Sequence, residues 1–279
     1  VGSEMCIRDR CSRWAHSEFT WRHRRVARSH LCGPLCVLYA LRLRRLPFLY
    51  RQFGCRKYGY SYSRTDGTCF KTVLFAMVSL LATTYFGPVQ WYQKLNQSDR
   101  CLIERHDHFI KQTYRNRCVI ATTNGLQALT VPIERFEGAH CAMLNIRISD
   151  HGSWRHLHWN ALQSAYGESP FFEFYADDIR PFFERRWDFL VDFNMEITQK
   201  MCELLDIQPH ITLTDAYVSA EDVGVTDYRD VIRPKNPLPD DRFQPRRYYQ
   251  VYEQKHGFQP NLSILDLLFN EGPEAVLYL

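Results

Sequence analysis

The sequence VSLLATTYFGPVQWYQKLNQSDRCLIE, residues 78–104, contains the clearest secondary-structure signal in the chain. An apolar strand is predicted over 78–83, followed by a turn at 85–88 and a helix over 89–96, which the preceding proline is suited to begin. A second short strand is predicted over 99–104. A strand, a helix and a strand in so short a stretch are typical of a parallel βαβ unit with a right-handed crossover. We therefore predict an α/β fold: a single domain with a Rossmann-like, mostly parallel sheet flanked by helices.

Apolar periodicity and cap signals predict further elements. Strands are predicted at 128–133 and 143–148 and, as an alternating aromatic and polar strand edge, at 248–256. Helices are predicted at 153–166, 178–186 and 188–205, and a proline-rich loop at 223–245. A final helix is predicted to begin at Ser263, with Asp266 as the return partner of a capping box, and to end near 272–273.

Charge is distributed unevenly along the 279 residues. The whole chain carries 35 lysines and arginines against 31 acidic residues, a net charge of +4. Residues 1–76 hold fifteen of those cations and four of the acids, a net charge of +11, whereas residues 77–279 hold 20 cations and 27 acids, a net charge of −7. The basic character of the chain therefore belongs to its first 76 residues, and the remainder is acidic.

The first ten residues, VGSEMCIRDR, resemble translated sequencing-adapter read-through. Residues 1–76 are rich in arginine and cysteine, a composition typical of non-coding DNA read as protein. We expect them to be non-native upstream translation without ordered structure, and Met77 to be the start. Two alternatives stay open for this segment: a basic arm that binds nucleic acid, and an export signal whose apolar part is residues 72–82.

Cysteine usage indicates the cellular compartment. The cysteines after Met77 are scattered and form no CxxC pair, so they indicate neither a zinc cluster nor a disulfide framework: Cys101, Cys118, Cys141 and Cys202. The apolar run at 72–82 is shorter than the ~20 residues of a membrane-spanning helix. We predict a cytoplasmic protein with reduced thiols, no membrane span and no nucleic-acid partner. The cofactor and the oligomeric state stay open.

Several motifs, taken in order, carry a resemblance. They are FGPVQWYQKLNQSD at 86–99, KQTYRNR at 111–117, Asn124-Gly125, Trp154 with His158, Tyr166, PFF at 170–172 and FQPNLSILDLLFNEGPE at 258–274. Over residues 77–279 the chain resembles the WbqC-like protein family. The resemblance implies a bacterial protein of surface-polysaccharide (O-antigen, lipopolysaccharide) biosynthesis. It implies a transferase that moves a small acyl or aminoacyl group to a sugar or nucleotide sugar.

Two departures from the family pattern leave a second function open. Longer members follow the first strand with a His-Gln-Pro motif, where this chain has Ala82-Thr83-Thr84. They also carry an extra segment with a Lys-Thr-Glu-Arg helix and a Ser-Gly turn, in place of which this chain has only residues 227–235. The alternative is a non-catalytic subunit of the same pathway that binds a sugar nucleotide or a partner protein.

The cationic segment 104–117 is the predicted substrate site. It follows a predicted strand, and ligands of open α/β sheets bind at the carboxyl ends of strands. Its arginines offer planar forks to a phosphate or carboxylate, so we expect an anionic substrate, either a nucleotide sugar or an activated acyl donor. The predicted binding residues are Lys111, Arg115, Asn116, Arg117, Tyr85, Asn261 and Ser263. The alternatives are a solvated strand with ion pairs for the segment, and a turn and helix cap for Asn261 and Ser263.

His158 is the predicted catalytic residue. It lies one helical turn after Trp154 and matches the family's histidine, and an imidazole with a pKa near ~6.5 suits a general acid or base. The alternative is a core histidine packed under Trp154. A metal on His106, Asp107 and His108 is a further alternative, but no additional partner has diagnostic spacing, and we predict no metal site. A covalent mechanism is unsupported, because the sequence lacks a glycine-rich phosphate loop and a Gly-x-Ser-x-Gly motif.

Overall fold

The computed structural model describes residues 54–55, 60–65, 68–73, 76–138, 140–219 and 224–279, within one compact unit, Gly54–Leu279. The strands are β1 (Gly54–Cys55), β2 (Tyr60–Thr65), β3 (Thr68–Val73), β4 (Val78–Ala82), β5 (Arg100–Glu104), β6 (Arg117–Thr122), β7 (Gly125–Thr130), β8 (Ile211–Leu213) and β9 (Val225–Asp227). The α-helices are α1 (Val89–Gln97), α2 (Trp154–Tyr166), α3 (Phe172–Ile179), α4 (Pro181–Glu184), α5 (Leu190–Leu204), α6 (Glu253–His256) and α7 (Ile264–Glu271). Two 3-10 helices lie at Met143–Asn145 and Gly272–Tyr278.

A four-stranded parallel sheet of order β8-β5-β4-β9 is the centre of the fold. β4 and β5 pair in parallel from Val78↔Arg100 to Ala82↔Glu104, and α1 connects them. The predicted βαβ unit is therefore confirmed, and so is the α/β class. The successive residues Leu80 and Leu81 of β4 are both fully buried, as expected for a central parallel strand covered on its two faces.

Residues 117–130 form an antiparallel hairpin, β6 and β7, that the sequence predicts only in part. The strand predicted at 128–133 begins earlier, at Gly125, and its partner β6 is missing from the prediction. Gly125 has a φ of +108°, which favours glycine, so Asn124-Gly125 is the hairpin signal that was overlooked. The strand predicted at 143–148 is wrong. These residues form a 3-10 helix followed by isolated bridges, because Arg147 and Ile148 pair singly with different segments.

The other helices and strands show three further differences from the prediction. Residues 178–186 do not form one helix, since Pro181 cannot donate a backbone hydrogen bond, and a new helix, α4, begins there. Residues 248–256 form no strand but end in α6, and the predicted loop at 223–245 contains β9. The Ser263 side chain caps α7 by accepting from the Leu265 N–H (3.4 Å). Asp266 does not close the predicted capping box, because its carboxylate accepts from the Tyr248 hydroxyl (2.7 Å).

The antiparallel sheet β1-β2-β3 lies within residues 1–76, where the sequence led us to expect no ordered structure. β2 and β3 pair from Tyr60↔Val73 to Thr65↔Thr68. The overlooked signal is local, because two runs rich in Tyr, Thr and Val flank Asp66-Gly67, a dipeptide typical of hairpins. The expectations for residues 1–53 concern a part of the chain outside the described residues.

An aromatic core joins α2, α4 and α5 to the turn after β4. Tyr85 stacks on Phe193 of α5 with ring centroids 5.7 Å apart, and Phe86 stacks on Phe183 of α4 at 6.1 Å. Trp154 of α2 meets Phe193 edge to face at 6.2 Å. Such pairs contribute about 0.5–1.5 kcal/mol each beyond the burial of their area. This packing fixes the path of the chain where it leaves the carboxyl end of β4.

Candidate functional site

The carboxyl end of the parallel sheet has the geometry at which open α/β folds bind ligands. The chain leaves β4 for β5 on one side, whereas β9 pairs with β4 on the other side. The direction in which strands are added to the sheet therefore reverses at β4, which lies between β5 and β9. Ligands of such sheets bind in the crevice outside the strand ends at this switch point. The two strands beside β4 each end in an acidic residue at this edge: the last residue of β5 is Glu104, and the last residue of β9 is Asp227.

Glu104 is a fully buried carboxylate at this edge. It accepts hydrogen bonds from the Thr214 hydroxyl (2.9 Å) and from the backbone N–H groups of His106 and Val218 (2.8 Å each). The Nη1 of Arg229 lies 3.7 Å from its Oε2. A buried carboxylate costs several kcal/mol unless it is paired and hydrogen-bonded, so these partners allow it to stay in the core. They also tie the loops after β5, β8 and β9 to one group.

Arg229 forms the second part of the network. Its guanidinium donates to both carboxylate oxygens of Asp227, from Nε to Oδ1 (3.0 Å) and from Nη2 to Oδ2 (2.7 Å). Burial lowers the pKa of Arg229, but the hydrogen bonds and charge of Asp227, together with the charges of Tyr217 and Glu104, outweigh burial and hold that pKa above its ordinary value. The guanidinium carbon also lies 5.1 Å from the ring centroid of Tyr217, whose side chain is 60% exposed. We call Glu104, Thr214, Tyr217, Asp227 and Arg229 the sheet-edge network.

A second buried ion pair, Asp107 with Arg115, lies on the loop that follows β5. The Nη2 of Arg115 donates to Oδ2 of Asp107. Burial raises the pKa of Asp107 above its ordinary value, although the guanidinium of Arg115 opposes that shift. Within the described part of the chain, Oδ1 of Asp107 and Nε of Arg115 have no hydrogen-bond partner. Unsatisfied buried polar atoms are rare in folded proteins, and a cluster of them indicates a place where water or a ligand binds.

The cationic segment does not converge on one anion site. Arg115 and Asn116 are buried and bond within the protein, Asn116 through its amide to the Val131 carbonyl (2.9 Å). Arg117 donates from Nε to the Thr130 hydroxyl across the hairpin (3.0 Å), and Lys111 is exposed. The four predicted binding residues therefore lie in different environments. Three of them, Arg115, Asn116 and Arg117, form ion pairs or hydrogen bonds with the protein itself. Such pairing is what the alternative interpretation of this segment, a strand with ion pairs, predicts.

Tyr85 and His158 are brought together by the fold, but in the core. The Tyr85 hydroxyl is hydrogen-bonded to Nδ1 of His158 at 2.9 Å, and both side chains are buried. The ring of Trp154 meets that of His158 edge to face, with centroids 5.2 Å apart. Burial lowers the pKa of His158 to about 4, although a hydrogen bond to the backbone of Thr130 opposes the shift. The imidazole is therefore neutral at pH 7, and its surroundings match the core-histidine alternative.

Asn261 and Ser263 join two segments of the chain that carry the family resemblance. Oδ1 of Asn261 accepts from the backbone N–H of Gln90 at the start of α1 (3.0 Å), and the Ser263 hydroxyl donates to the Phe86 carbonyl (2.8 Å). Backbone bonds continue the contact, from the Val89 N–H to the Leu262 carbonyl (2.9 Å). These contacts shape the turn and cap the helix, in accord with the alternative interpretation of both residues.

The other histidines and the cysteines of the described residues form no metal site, and the buried cysteines offer no reactive thiol. His106 bonds through Nε2 to the Thr214 carbonyl (3.1 Å), whereas His108 is exposed. Throughout the described ranges, no three His, Cys, Asp or Glu side chains are grouped so as to hold a metal ion. Cys101, Cys118, Cys141 and Cys202 are free thiols. Burial raises the pKa of Cys101 to about 11 and that of Cys202 to about 12, so neither thiol is a ready nucleophile.

The sequence prediction missed most of the sheet-edge network. Asp227 and Arg229 were assigned to a loop, because β9 is only three residues long. The available signal was the β-branched pair Val225-Thr226 directly before an acidic residue, which is typical of a short strand that ends in a polar group. Tyr217 carries no sequence signal of its own, since only the fold places its ring beside Arg229.

Comparisons with known proteins give a family and one distant relative. The model of the WbqC-like protein family matches residues 83–233 and 240–278. The uncharacterized protein Rv1507c of Mycobacterium tuberculosis (strain ATCC 25618 / H37Rv) is 26% identical over 224 residues, which cover 72% of this chain and 96% of that protein. No solved structure matches the chain. Among the described helices, none has the length and apolar character needed to cross a bilayer.

Proposed function

We propose a function from one premise: the chain belongs to the WbqC-like protein family. The proposed function is transfer of a small acyl or aminoacyl group to a sugar or nucleotide sugar in the biosynthesis of bacterial surface polysaccharide (O-antigen). We propose that the substrates bind at the sheet-edge network, and that the parallel sheet is Rossmann-like in its use of this edge. The proposed compartment is the cytoplasm, where free thiols persist.

The observation that carries the proposal is the sheet-edge network itself. It combines three features that suit a charged sugar: the partly exposed carboxylate of Asp227, which can accept from a hydroxyl group, the guanidinium of Arg229, and the exposed ring of Tyr217. Arg229 is held by Asp227 on one side and lies under Tyr217 on the other, so its orientation is fixed before a ligand arrives. A preorganised site loses less entropy when it binds its ligand.

Asp107 is the proposed proton acceptor. In the reaction, the hydroxyl or amine of the sugar attacks the carbonyl of the activated donor, its proton passes to a base, and the leaving group departs with the electron pair. Burial raises the pKa of Asp107 above its ordinary value, which makes the carboxylate a stronger base, and its Oδ1 has no hydrogen-bond partner within the described ranges. We assign the proton to Asp107 and not to His158, since the His158 imidazole is enclosed by aromatic rings.

Mass spectrometry tests the transfer. The full chain is incubated with a panel of nucleotide sugars and activated acyl or aminoacyl donors, and the expected product is a sugar heavier by the transferred group. Asp107→Asn should lower turnover by roughly 10² or more, because it removes the base while retaining the size of the side chain. The control is Asp178→Asn, an exposed carboxylate on α3, which should turn over normally. Full activity of Asp107→Asn would exclude the proposed base.

A specific observation favours a second candidate, a non-catalytic subunit that binds a sugar nucleotide. The residues after β4 are Ala82-Thr83-Thr84, without the imidazole of longer family members, and the Thr83 hydroxyl accepts from the Asn194 amide (3.2 Å). This end of β4 is thus occupied by a structural contact. The second candidate predicts that calorimetry detects binding of a nucleotide sugar while no donor panel yields a product.

A further inference from the structure

A cleft of about 310 Å³ lies between the first turn of α2 and the short helix α4. None of the residues that line it belongs to the sheet-edge network. Its volume is at the lower end of the range of small-molecule sites, roughly 300–1,000 Å³. The cleft combines an aromatic wall with a charged rim, and these two parts constrain what it can bind.

The aromatic wall consists of Trp159 and Phe183. Their ring centroids are 5.8 Å apart, and Trp159 also stacks on Phe172 at 6.0 Å with an interplanar angle of 30°. The indole is therefore held in place while part of it faces the cleft. The face of an aromatic ring carries partial negative charge and attracts the polarised C–H groups on one side of a sugar ring. A fixed indole of this kind is suited to hold one sugar ring.

The charged rim consists of Arg155, His156, Arg180 and Glu184. Arg180 donates from Nε to Oε1 of Glu184 at 2.6 Å, a bond that uses one of the five donors of the guanidinium. Arg155 is oriented from below, since its guanidinium stacks on Trp154 at 4.7 Å and its Nη2 lies 2.7 Å from Oδ1 of Asp150. Arg186 also approaches Asp150, with its Nε 3.5 Å from Oδ2. Three guanidinium groups, including those of Arg155 and Arg180, therefore face the two carboxylates of Asp150 and Glu184, and the net positive charge that remains favours an anion.

We propose that this cleft binds a monosaccharide that carries a phosphate or a carboxylate. The sugar ring lies on Trp159, the anionic group is bound by Arg180 and Arg155, and Glu184 accepts from a hydroxyl group. The cleft is too small to enclose a whole nucleotide sugar as well. This site goes beyond the proposed transferase function, because it uses a different part of the fold and does not depend on the sheet edge.

Calorimetric titration of the full chain tests the cleft. Glucose 6-phosphate and glucuronate represent the two sources of charge, and glucose and inorganic phosphate supply the separate halves of the ligand. At least one of the two anionic sugars should bind at least tenfold more tightly than glucose and than phosphate. Arg180→Gln should weaken that binding about tenfold or more, because it removes a charge-assisted contact. The matched control is Arg247→Gln, an exposed arginine that neither lines the cleft nor pairs with Asp150, which should bind as the native chain does.

Three outcomes overturn the proposal. The first is that neither anionic sugar binds the native chain at millimolar concentration. The second is that Arg180→Gln and Arg247→Gln weaken binding equally, which indicates diffuse surface charge. The third is that Trp159→Phe, which keeps an aromatic ring, and Trp159→Leu, which removes it, bind equally well. Failure here is distinguishable from failure of the transferase proposal, because the cleft is judged by the effect of Arg180→Gln and Trp159→Leu on sugar binding, whereas the transferase is judged by product formation and its loss in Asp107→Asn.

Discussion

At the scale of single residues, buried charge decides how the sheet edge is built. Glu104 has no exposed surface, and Arg229 is only 8% exposed, so each depends on its partners to remain ionised in the core. Asp227 supplies the bidentate contact that fixes the guanidinium. The same arrangement that makes the edge costly to disrupt also presents a fixed cation beside an exposed tyrosine ring.

Arg229→Ala should lower the free energy of unfolding by about 3–5 kcal/mol, because it leaves the carboxylate of Glu104 buried without its cation. Urea denaturation of the native and variant chains measures this difference. Arg233→Ala is the control, since its ion pair with Asp230 is partly exposed and should contribute at most about 1 kcal/mol. A loss below 1 kcal/mol for Arg229→Ala would contradict the buried network.

His158 should make the protein less stable in acid. Its pKa is about 4 in the folded protein against 6.5 for a free imidazole, so the unfolded chain binds the additional proton between these values. The free energy of unfolding should therefore fall as the pH is lowered from 6.5 toward 4, by up to roughly 3 kcal/mol. His158→Gln should lose this part of the pH dependence. Identical slopes for the two proteins across this window would show that His158 is not buried as a neutral group.

At the scale of structural elements, the turn after β4 is held by the segment that begins α7. Phe86 has a φ of +40°, a conformation that costs a non-glycine residue roughly 1–3 kcal/mol. The Ser263 hydroxyl bonds to the carbonyl of Phe86, and the Ile264 N–H donates to the Gly87 carbonyl (2.8 Å). These bonds and the stacking of Phe86 offset the strain, and they set the direction in which the chain leaves the sheet edge.

Gly87→Ala should destabilise the protein by about 1–3 kcal/mol. A Cβ at position 87 would collide with Oγ1 of Thr84 and lie 3.0 Å from its Cβ, and Thr84 is buried and stiff. Thermal unfolding measures the loss. The double variant Thr84→Ala/Gly87→Ala should recover part of it, since the colliding oxygen is gone. A melting temperature of Gly87→Ala equal to that of the native chain would contradict this close approach.

At the scale of the whole molecule, strong local patterns were predictable and distant contacts were not. The unit at 78–104 was predicted because Pro88, the apolar strand and the helix agree locally. Pairing of β9 with β4 joins residues far apart in sequence, and a strand of three residues leaves almost no periodic signal. The residues of the candidate site divide in the same way, into one that a local pattern indicated and others that only distant contacts bring together. Glu104 lay in the predicted segment, whereas Arg229 and Tyr217 reach it only through the fold.

We propose that the carboxyl edge of the parallel sheet binds the sugar substrate. The most direct test is hydrogen–deuterium exchange of the full chain with and without a panel of nucleotide sugars. At least one sugar should slow exchange of the backbone N–H groups of His106, Val218 and Arg229, which bond to the carboxylates at this edge. The amides of the β6–β7 hairpin should be unaffected. If no member of the panel slows exchange at these three amides, or if protection is confined to the hairpin, the edge is not the substrate site.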